Sequence, residues 1–429
     1  MRLDRAVIII ILKLIEVMMS RTFVGIGFGP IQAGLFLYEA FRSGNFSRLV
    51  VAEVVPDVVE AVRRGGGRCW INVAAGKGIE QHAVSGVEIL NPNDENDRRA
   101  LVGALAEADE IATALPSVSF YKTGGAESAA ALLAEGLRKR LAAGHGKRCV
   151  IYAAENHNHA AEILRESMGP FLGDSAVETE NSAQCLNTVI GKMSGVVTDQ
   201  EQIIAQKLRQ IAGDTGRCFL VEVFNRILIS KISWPDFKRG ITVFEEKNDL
   251  LPFEEAKLYG HNATHALIGY LARRKGYQFM SDVKDDQELL DLAKEAFIIE
   301  SGGALCRKYR DWDKLFTPAG YAEYVDDLLL RMLNPHLRDM VERVVRDPRR
   351  KLGWDDRLIG TMRLALNEGI DPVRYARGAK AALEMLAEGE GKRDYGQLLE
   401  SVWQDGKIDR DEKNRIKEMI LQTRLERDF

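Results

Sequence analysis

Lys257, Asn262 and His265 lie close together in the segment Pro252-Phe253-Glu254-Glu255-Ala256-Lys257-Leu258-Tyr259-Gly260-His261-Asn262-Ala263-Thr264-His265. An amine that has lost its proton can accept one from an alcohol, and an amide and an imidazole beside it can hold the developing alkoxide. On a helix, offsets of three and four share a face and an offset of five lies moderately off it, so the three side chains can project to one side. A solvated helix face carries the same residue types. Gly260 inside the helix costs about 1 kcal/mol against alanine, which calls for either a close approach there or loose packing.

A nucleotide-binding signature upstream tips the balance toward chemistry. Thr22-Phe23-Val24-Gly25-Ile26-Gly27-Phe28-Gly29-Pro30 reads as a short apolar strand, a glycine-rich turn and a helix start. Glycines let the backbone approach a pyrophosphate, and the helix N-terminus supplies free N–H groups. Gly25 and Gly27 fit the G-x-G-x-x-G pattern, but Pro30 holds the third glycine place, with Gly29 before it. Arg48–Val54 is a second strand with Glu53 at its end. A carboxylate there accepts hydrogen bonds from ribose hydroxyls and repels a 2′-phosphate, which favours NAD over NADP; an ordinary strand-end carboxylate is the plainer alternative. Ala108–Pro116, with Thr113 inside it, ends in a proline turn suited to a loop over the cofactor.

Four further segments complete a pattern: Cys149–Asn156 ends in Glu155-Asn156, Asn187–Met193 follows it, and Arg343–Leu352 and Asp356–Gly360 lie late in the chain. From roughly Thr22 to Ala382 the motifs together resemble the polyol-specific long-chain dehydrogenases, most closely the mannitol-1-phosphate 5-dehydrogenase and mannitol dehydrogenase branch. The Pro30 variant, a long N-terminal extension and a charged C-terminal tail depart from the family pattern. The resemblance implies an NAD-dependent, metal-independent oxidoreductase acting on a small molecule and interconverting mannitol 1-phosphate and fructose 6-phosphate. It makes Lys257 the general acid/base, Asn156 and Asn262 donors to the reacting oxygen, and His265 a residue that orients substrate hydroxyls. Gly25, Gly27, Phe28, Gly29, Glu53 and Thr113 are the cofactor residues expected, and Arg331 and Lys192 the substrate residues. Arg346 and Arg349 join these last two as candidate phosphate ligands. A turn residue and a helix C-terminal cation remain open readings for Asn156 and Arg331. Rivals are a tagaturonate or fructuronate reductase, a free-mannitol 2-dehydrogenase and a non-catalytic NAD-responsive regulator.

A chain of 429 residues with 46% hydrophobic residues can bury two substantial cores. Its net charge of −4 argues against nucleic acid as a partner. Five scattered cysteines without a C-x-x-C pair suit a reducing cytoplasm. The apolar run Ala6–Leu12 is interrupted by Lys13 and Glu16, and is too short to span a bilayer. Residues 1–19 are therefore expected to be an extension, with Met18 or Met19 the natural start; an amphipathic helix that packs on the body or a partner is the alternative. His157 and His159 beside Glu155 lack a convincing metal geometry. Asp405–Glu412 resembles half a calcium loop, but a helix capped by Asp409 fits it better.

The elements that must position these residues follow an α/β order. Strands are expected at Thr22–Gly25, Arg48–Val54, Cys69–Val73, Glu110–Ala114 and Arg148–Ala153, with helices between them, as in a mostly parallel sheet. Leu220–Val223 and Ile227–Ile229 can extend that sheet. Helices are expected over Asn248–Lys275, Asp285–Glu300, Gly320–Leu333 and Pro372–Leu386. The resulting expectation is a Rossmann-type domain over 20–199 and a mainly helical substrate domain over 200–429.

Overall fold

The computed structural model describes residues 21–144, 147–403 and 408–425. The expected extension over 1–19 and the start of the calcium-like segment lie outside the described residues. The chain divides into two compact units that meet in sequence between Leu250 and Leu251. That boundary falls well beyond the expected 199/200, because three strands of the first unit follow residue 200.

The first unit is built on an eight-stranded sheet. Its strands are β1 (Thr22–Ile26), β2 (Arg48–Ala52), β5 (Val87–Leu90), β6 (Glu110–Thr113), β7 (Cys149–Ala153), β8 (Ala183–Val189), β11 (Leu228–Ser230) and β12 (Glu245–Lys247). The order is β12-β11-β8-β7-β6-β1-β2-β5. All pairs from β5 through β8 are parallel, and β8 with β11 is antiparallel. Read by chain position, the six parallel strands follow the 3-2-1-4-5-6 order of a Rossmann sheet.

The sequence reads as strands because β1, β6 and β7 are buried along their whole length while successive side chains enter different cores. Phe23, Val51 and Tyr152 join one apolar cluster, whereas their neighbours Val24, Val50 and Ile151 join another. That alternation is the two-residue period of a sheet covered on both faces.

Cys69–Ala75 is a strand, as expected, but it does not enter this sheet. With Gly78–Val84, Ser194–Val197 and Cys218–Glu222 (β3, β4, β9 and β10) it forms a separate four-stranded sheet in the order β4-β3-β10-β9. Of the two later strands expected to extend the main sheet, β11 joins it and β10 pairs instead with β3 and β9.

The second unit is mainly helical. Its first helical stretch runs as α-helix Leu251–Glu255, π-helix Ala256–Asn262 and α-helix Ala263–Arg274. The helix expected over Asp285–Glu300 likewise becomes Gln287–Glu295 followed by a π-turn, Ala296–Gly302. Pro318–Met332, Arg357–Asn367 and Val373–Glu390 supply the other long helices. Glycine permits close contact where helices cross: a Cβ on Gly378 would lie 2.7 Å from Leu267. Asp409 caps the helix Arg410–Gln422 by accepting from the N–H groups of Asp411 and Glu412. No helix among the described residues is long and apolar enough to cross a membrane.

Candidate active site

In the first unit, the turn after β1 borders a cavity of about 720 Å³. Gly27, Phe28, Gly29 and Glu53 line it, together with Ala114, Leu115 and Pro116 of the loop after β6. Gly27 has φ of +85°, and a Cβ there would stand 3.0 Å from the Ala114 carbonyl oxygen. Glycine is therefore required at this position. Gly25 packs beneath the turn, where a Cβ would collide with the buried Gln32 amide. Pro30 falls in the first helical turn, where a missing N–H costs nothing. Gly34 supplies the tight packing, since a Cβ on it would approach Val221 of β10 to 2.7 Å. The Pro30 departure is thus compatible with the turn.

Glu53 follows β2, and its Oε1 accepts a 2.8 Å hydrogen bond from the Val55 N–H, which fixes the carboxylate at the cavity wall. Thr113 does not line the cavity. It is buried, and its hydroxyl donates to Glu155 Oε2 at 2.9 Å. Glu155 also accepts from the Leu115 N–H at 2.9 Å and from the Tyr121 hydroxyl. Burial raises the Glu155 carboxyl above its ordinary range against the pull of these donors. Glu155 thereby fastens the loop that walls the cavity, a role sequence reasoning missed. Asn156 follows as an exposed residue beyond the carboxyl end of β7. His157 and His159 are exposed, and the His159 N–H donates to His157 Nδ1 at 3.0 Å in a turn.

A helix N-terminus, a positive-φ glycine turn and a carboxylate at the second strand's end are the features a dinucleotide needs. The residues present fit NAD.

Lys192, expected at the substrate, is buried in the first unit. Its ammonium donates to the carbonyls of Glu222 and Phe224 and, at 2.7 Å, to Asn225 Oδ1. This geometry favours fastening the loop after β10 over the substrate contact expected from the sequence.

In the second unit, Lys257 and Asn262 occupy one π-helical turn. Hydrogen bonding in that turn closes from i to i+5, so two residues five apart stack on one face instead of diverging. His265 follows in the next α-helical turn. Burial lowers the Lys257 ammonium from 10.5 to about 8; Glu254 opposes that shift and Arg357 adds to it. His261, inside the same turn, is buried and held well below 6.5, first by burial and then by His265, Arg331, Lys257 and Arg357. It is therefore neutral near pH 7. Gly260 is needed for packing, because a Cβ there would lie 2.6 Å from Tyr321 Oη and 2.8 Å from Phe297.

His265 Nε2 lies 3.1 Å from Asp339 Oδ2, within ion-pair range but off the line of a well-formed hydrogen bond. Burial alone would raise the Asp339 carboxyl; His265 and Arg343 together hold it below its ordinary value. Arg331 comes from the last turn of Pro318–Met332, and its Nη1 is 3.0 Å from Asp327. Its charge acts on His261, so the fold brings Arg331 toward the Lys257 cluster.

A second cavity, of about 470 Å³, opens beside His265 and is lined by Arg343, Arg346, Arg350, Lys351 and Arg357, with Asp347 the one carboxylate among its described lining residues. Arg349 lies elsewhere, bonded to Glu390 and Ser401. Sequence reasoning named Arg346 from this group and missed the other cations as a cluster.

Residues 249–420 match the mannitol dehydrogenase C-terminal domain. Mannitol-1-phosphate 5-dehydrogenase of Lactiplantibacillus plantarum is 26% identical over 81% of this chain and 82% of its own. The enzymes of that name from Shouchella clausii and Halalkalibacterium halodurans are 29% and 28% identical, over 78% and 84% of this chain and 81% and 87% of theirs. Among solved structures, a substrate-free D-sorbitol dehydrogenase superposes with a TM-score of 0.72 at 16% identity, covering 94% of this chain and 92% of that one. Pseudomonas fluorescens mannitol 2-dehydrogenase, in a ternary complex with NAD and D-mannitol, gives 0.61 at 16% identity, covering 86% and 79%. The expected Rossmann-type fold with a mainly helical C-terminal part is observed, and the chain is an NAD-dependent dehydrogenase that carries, over residues 249–420, the mannitol dehydrogenase C-terminal domain.

Proposed function

We propose that the chain interconverts a polyol phosphate and a ketose phosphate, mannitol 1-phosphate and fructose 6-phosphate, with Lys257 as general acid/base. The observation that carries this reading is Lys257 itself: a half-buried amine brought down to about 8, sharing a π-turn with Asn262. A lysine with that pKa exchanges protons usefully near neutral pH, unlike an exposed one. The relatives named mannitol-1-phosphate 5-dehydrogenase support the phosphorylated substrate.

When bound, NAD supplies the two-electron chemistry as hydride acceptor or donor. The chain's residues do the rest. Gly27, Phe28 and Gly29 accept the pyrophosphate against free backbone, and Glu53 takes the ribose hydroxyls. In the oxidative direction the Lys257 amine removes the proton from the reacting hydroxyl, and the ammonium returns it in reduction. Asn156 and Asn262 donate hydrogen bonds to the reacting oxygen, so that its growing negative charge meets oriented dipoles. His265, held by Asp339, orients substrate hydroxyls, and Arg331 grips the substrate.

NADH oxidation with fructose 6-phosphate, fructose, fructuronate and tagaturonate in parallel tests the reading. Efficiency on fructose 6-phosphate should exceed that on fructose by far more than tenfold, the loss typical of one charge-assisted contact. Equal efficiencies would reassign the chain to free polyols, and preference for a hexuronate would make it a uronate reductase.

A further inference from the structure

We propose that the cationic cavity beside His265 is the subsite that receives the substrate's phosphate group; the proposal rests on the polyol-phosphate reading above. The cavity is formed within the second unit. Its lining carries the side chains of Arg343, Arg346, Arg350, Lys351 and Arg357 against a single carboxylate, Asp347. Two further carboxylates stand behind this wall. Asp339 lies 2.6 Å from Arg343, and Asp356 accepts from Arg350 at 3.2 Å and from Arg357 at 2.9 Å. Among the arginines, lysine and aspartates, five cations facing three carboxylates leave two positive charges over. A phosphate monoester carries about −1.5 to −2 at pH 7, so the excess matches the proposed ligand.

The local backbone explains why so many cations converge. Asp347 takes a left-handed conformation, φ 60° and ψ 58°, and caps the short helix Pro348–Lys351. That turn brings Arg346 and Arg350 to the cavity. Lys351 is buried and fastened to the carbonyls of Val344, at 2.7 Å, and Arg346. Burial, then Arg357 and Arg350, press its pKa down to about 8, a mutual repulsion that a bound anion would relieve. Arg349 shows what a satisfied neighbour looks like, with its guanidinium paired to Glu390 at 2.6 Å. By contrast, the exposed Arg346 has its Nε only 3.4 Å from the Arg343 carbonyl. Planar guanidinium forks suit phosphate oxygens. A neutral polyol end would give such a field nothing to neutralise. His265 lines the same cavity, which makes the anion subsite continuous with the cluster proposed to handle the hydroxyls.

The test compares wild type with Arg346→Ala and Arg350→Ala, and with Arg349→Ala as a control one position outside the cavity. Catalytic efficiency is measured on fructose 6-phosphate and on fructose, and inorganic phosphate is titrated as an inhibitor. Each cavity variant should lose roughly ten- to a hundredfold on fructose 6-phosphate. Efficiency on fructose and affinity for NADH should stay within about twofold in the variants, because fructose brings no phosphate to the cavity and the cofactor turn belongs to the first unit. Inorganic phosphate should compete with fructose 6-phosphate in wild type and weaken in the cavity variants, while Arg349→Ala behaves as wild type. A wild type that uses fructose as well as fructose 6-phosphate removes the underlying reading and this subsite with it. A wild type that prefers the phosphate ester, and keeps that preference in Arg346→Ala, leaves the reading in place and overturns the subsite alone. Phosphate that inhibits without competing overturns it too, as a separate anion site. Arg350→Ala disturbs two ion pairs; should it fail to fold, Arg346→Ala decides by itself.

Discussion

Lys257→Met keeps the aliphatic stem and removes the proton carrier, so it separates packing from chemistry. In wild type the drop from 10.5 to about 8 corresponds to roughly 3 kcal/mol. At pH 7 roughly one Lys257 in ten is then a free amine, against roughly one in three thousand for an unshifted lysine. Alcohol oxidation needs the amine. Its kcat/KM should climb about tenfold per pH unit up to about 8 and level off above it. Ketose reduction needs the ammonium, and should be level below that pH and fall above it. The methionine variant should lose roughly 10²- to 10⁴-fold in both directions, and its profiles should lack this ionisation. Two companions shift the limb in opposite senses: Glu254→Gln moves it toward acid, because the carboxylate raises the lysine, and Arg357→Met moves it toward base. Stability gives a second readout. The folded pKa lies below the unfolded one, so the unfolded chain binds more protons between about pH 8 and 10.5. The penalty for burying the ammonium is therefore full below pH 8 and fades as the pH rises toward 10.5. Lys257→Met should raise the unfolding free energy by something on the order of 3 kcal/mol at pH 7, and by much less at pH 10, in urea denaturation. Initial rates from pH 6 to 10 decide the matter. A limb near pH 8 that survives in Lys257→Met would falsify the assignment.

Glu53→Gln should weaken NADH binding by about 2 kcal/mol, near thirtyfold, and narrow the gap to NADPH, because it removes both the charged acceptor and the repulsion of a 2′-phosphate; fluorescence titration of both cofactors measures it. Gly260→Ala should cost about 1–3 kcal/mol of stability from overpacking against Tyr321 and Phe297. It should also lower kcat by displacing the π-turn that carries Lys257, whereas an unchanged thermal midpoint and kcat would show that the turn has room to give.

Much of the molecule was legible because it is local in sequence. Gly25, Gly27 and Glu53 belong to one strand–turn–helix–strand passage, and the alternation of Phe23 with Val24 and of Val50 with Val51 marks strands covered on both faces. Lys257, Asn262 and His265 fall within a few turns of chain, so a helical reading sets them near one another in sequence without putting them on one face. What the sequence determined, then, was the dinucleotide-type turn, the kind of sheet and which lysine to propose as acid/base. Only the tertiary structure decided the rest. An α-helical period sets residues five apart on diverging faces, and the π-turn that unites Lys257 with Asn262 arises within the packed helix, where Gly260 lies against Tyr321 and Phe297. Cys69–Ala75 reads as one more strand of the main sheet, but pairs with a strand formed by Cys218–Glu222; local propensity sets that a strand forms, not which strand it joins. The unit boundary moved to Leu250 for the same reason, since late strands return to earlier ones. Asp339 reaches His265, and Lys351 and Arg357 meet Arg346, by the folding of separate helices. Burial, which lowers the Lys257 ammonium from 10.5 to about 8, is a property of that packing and is written in no single segment.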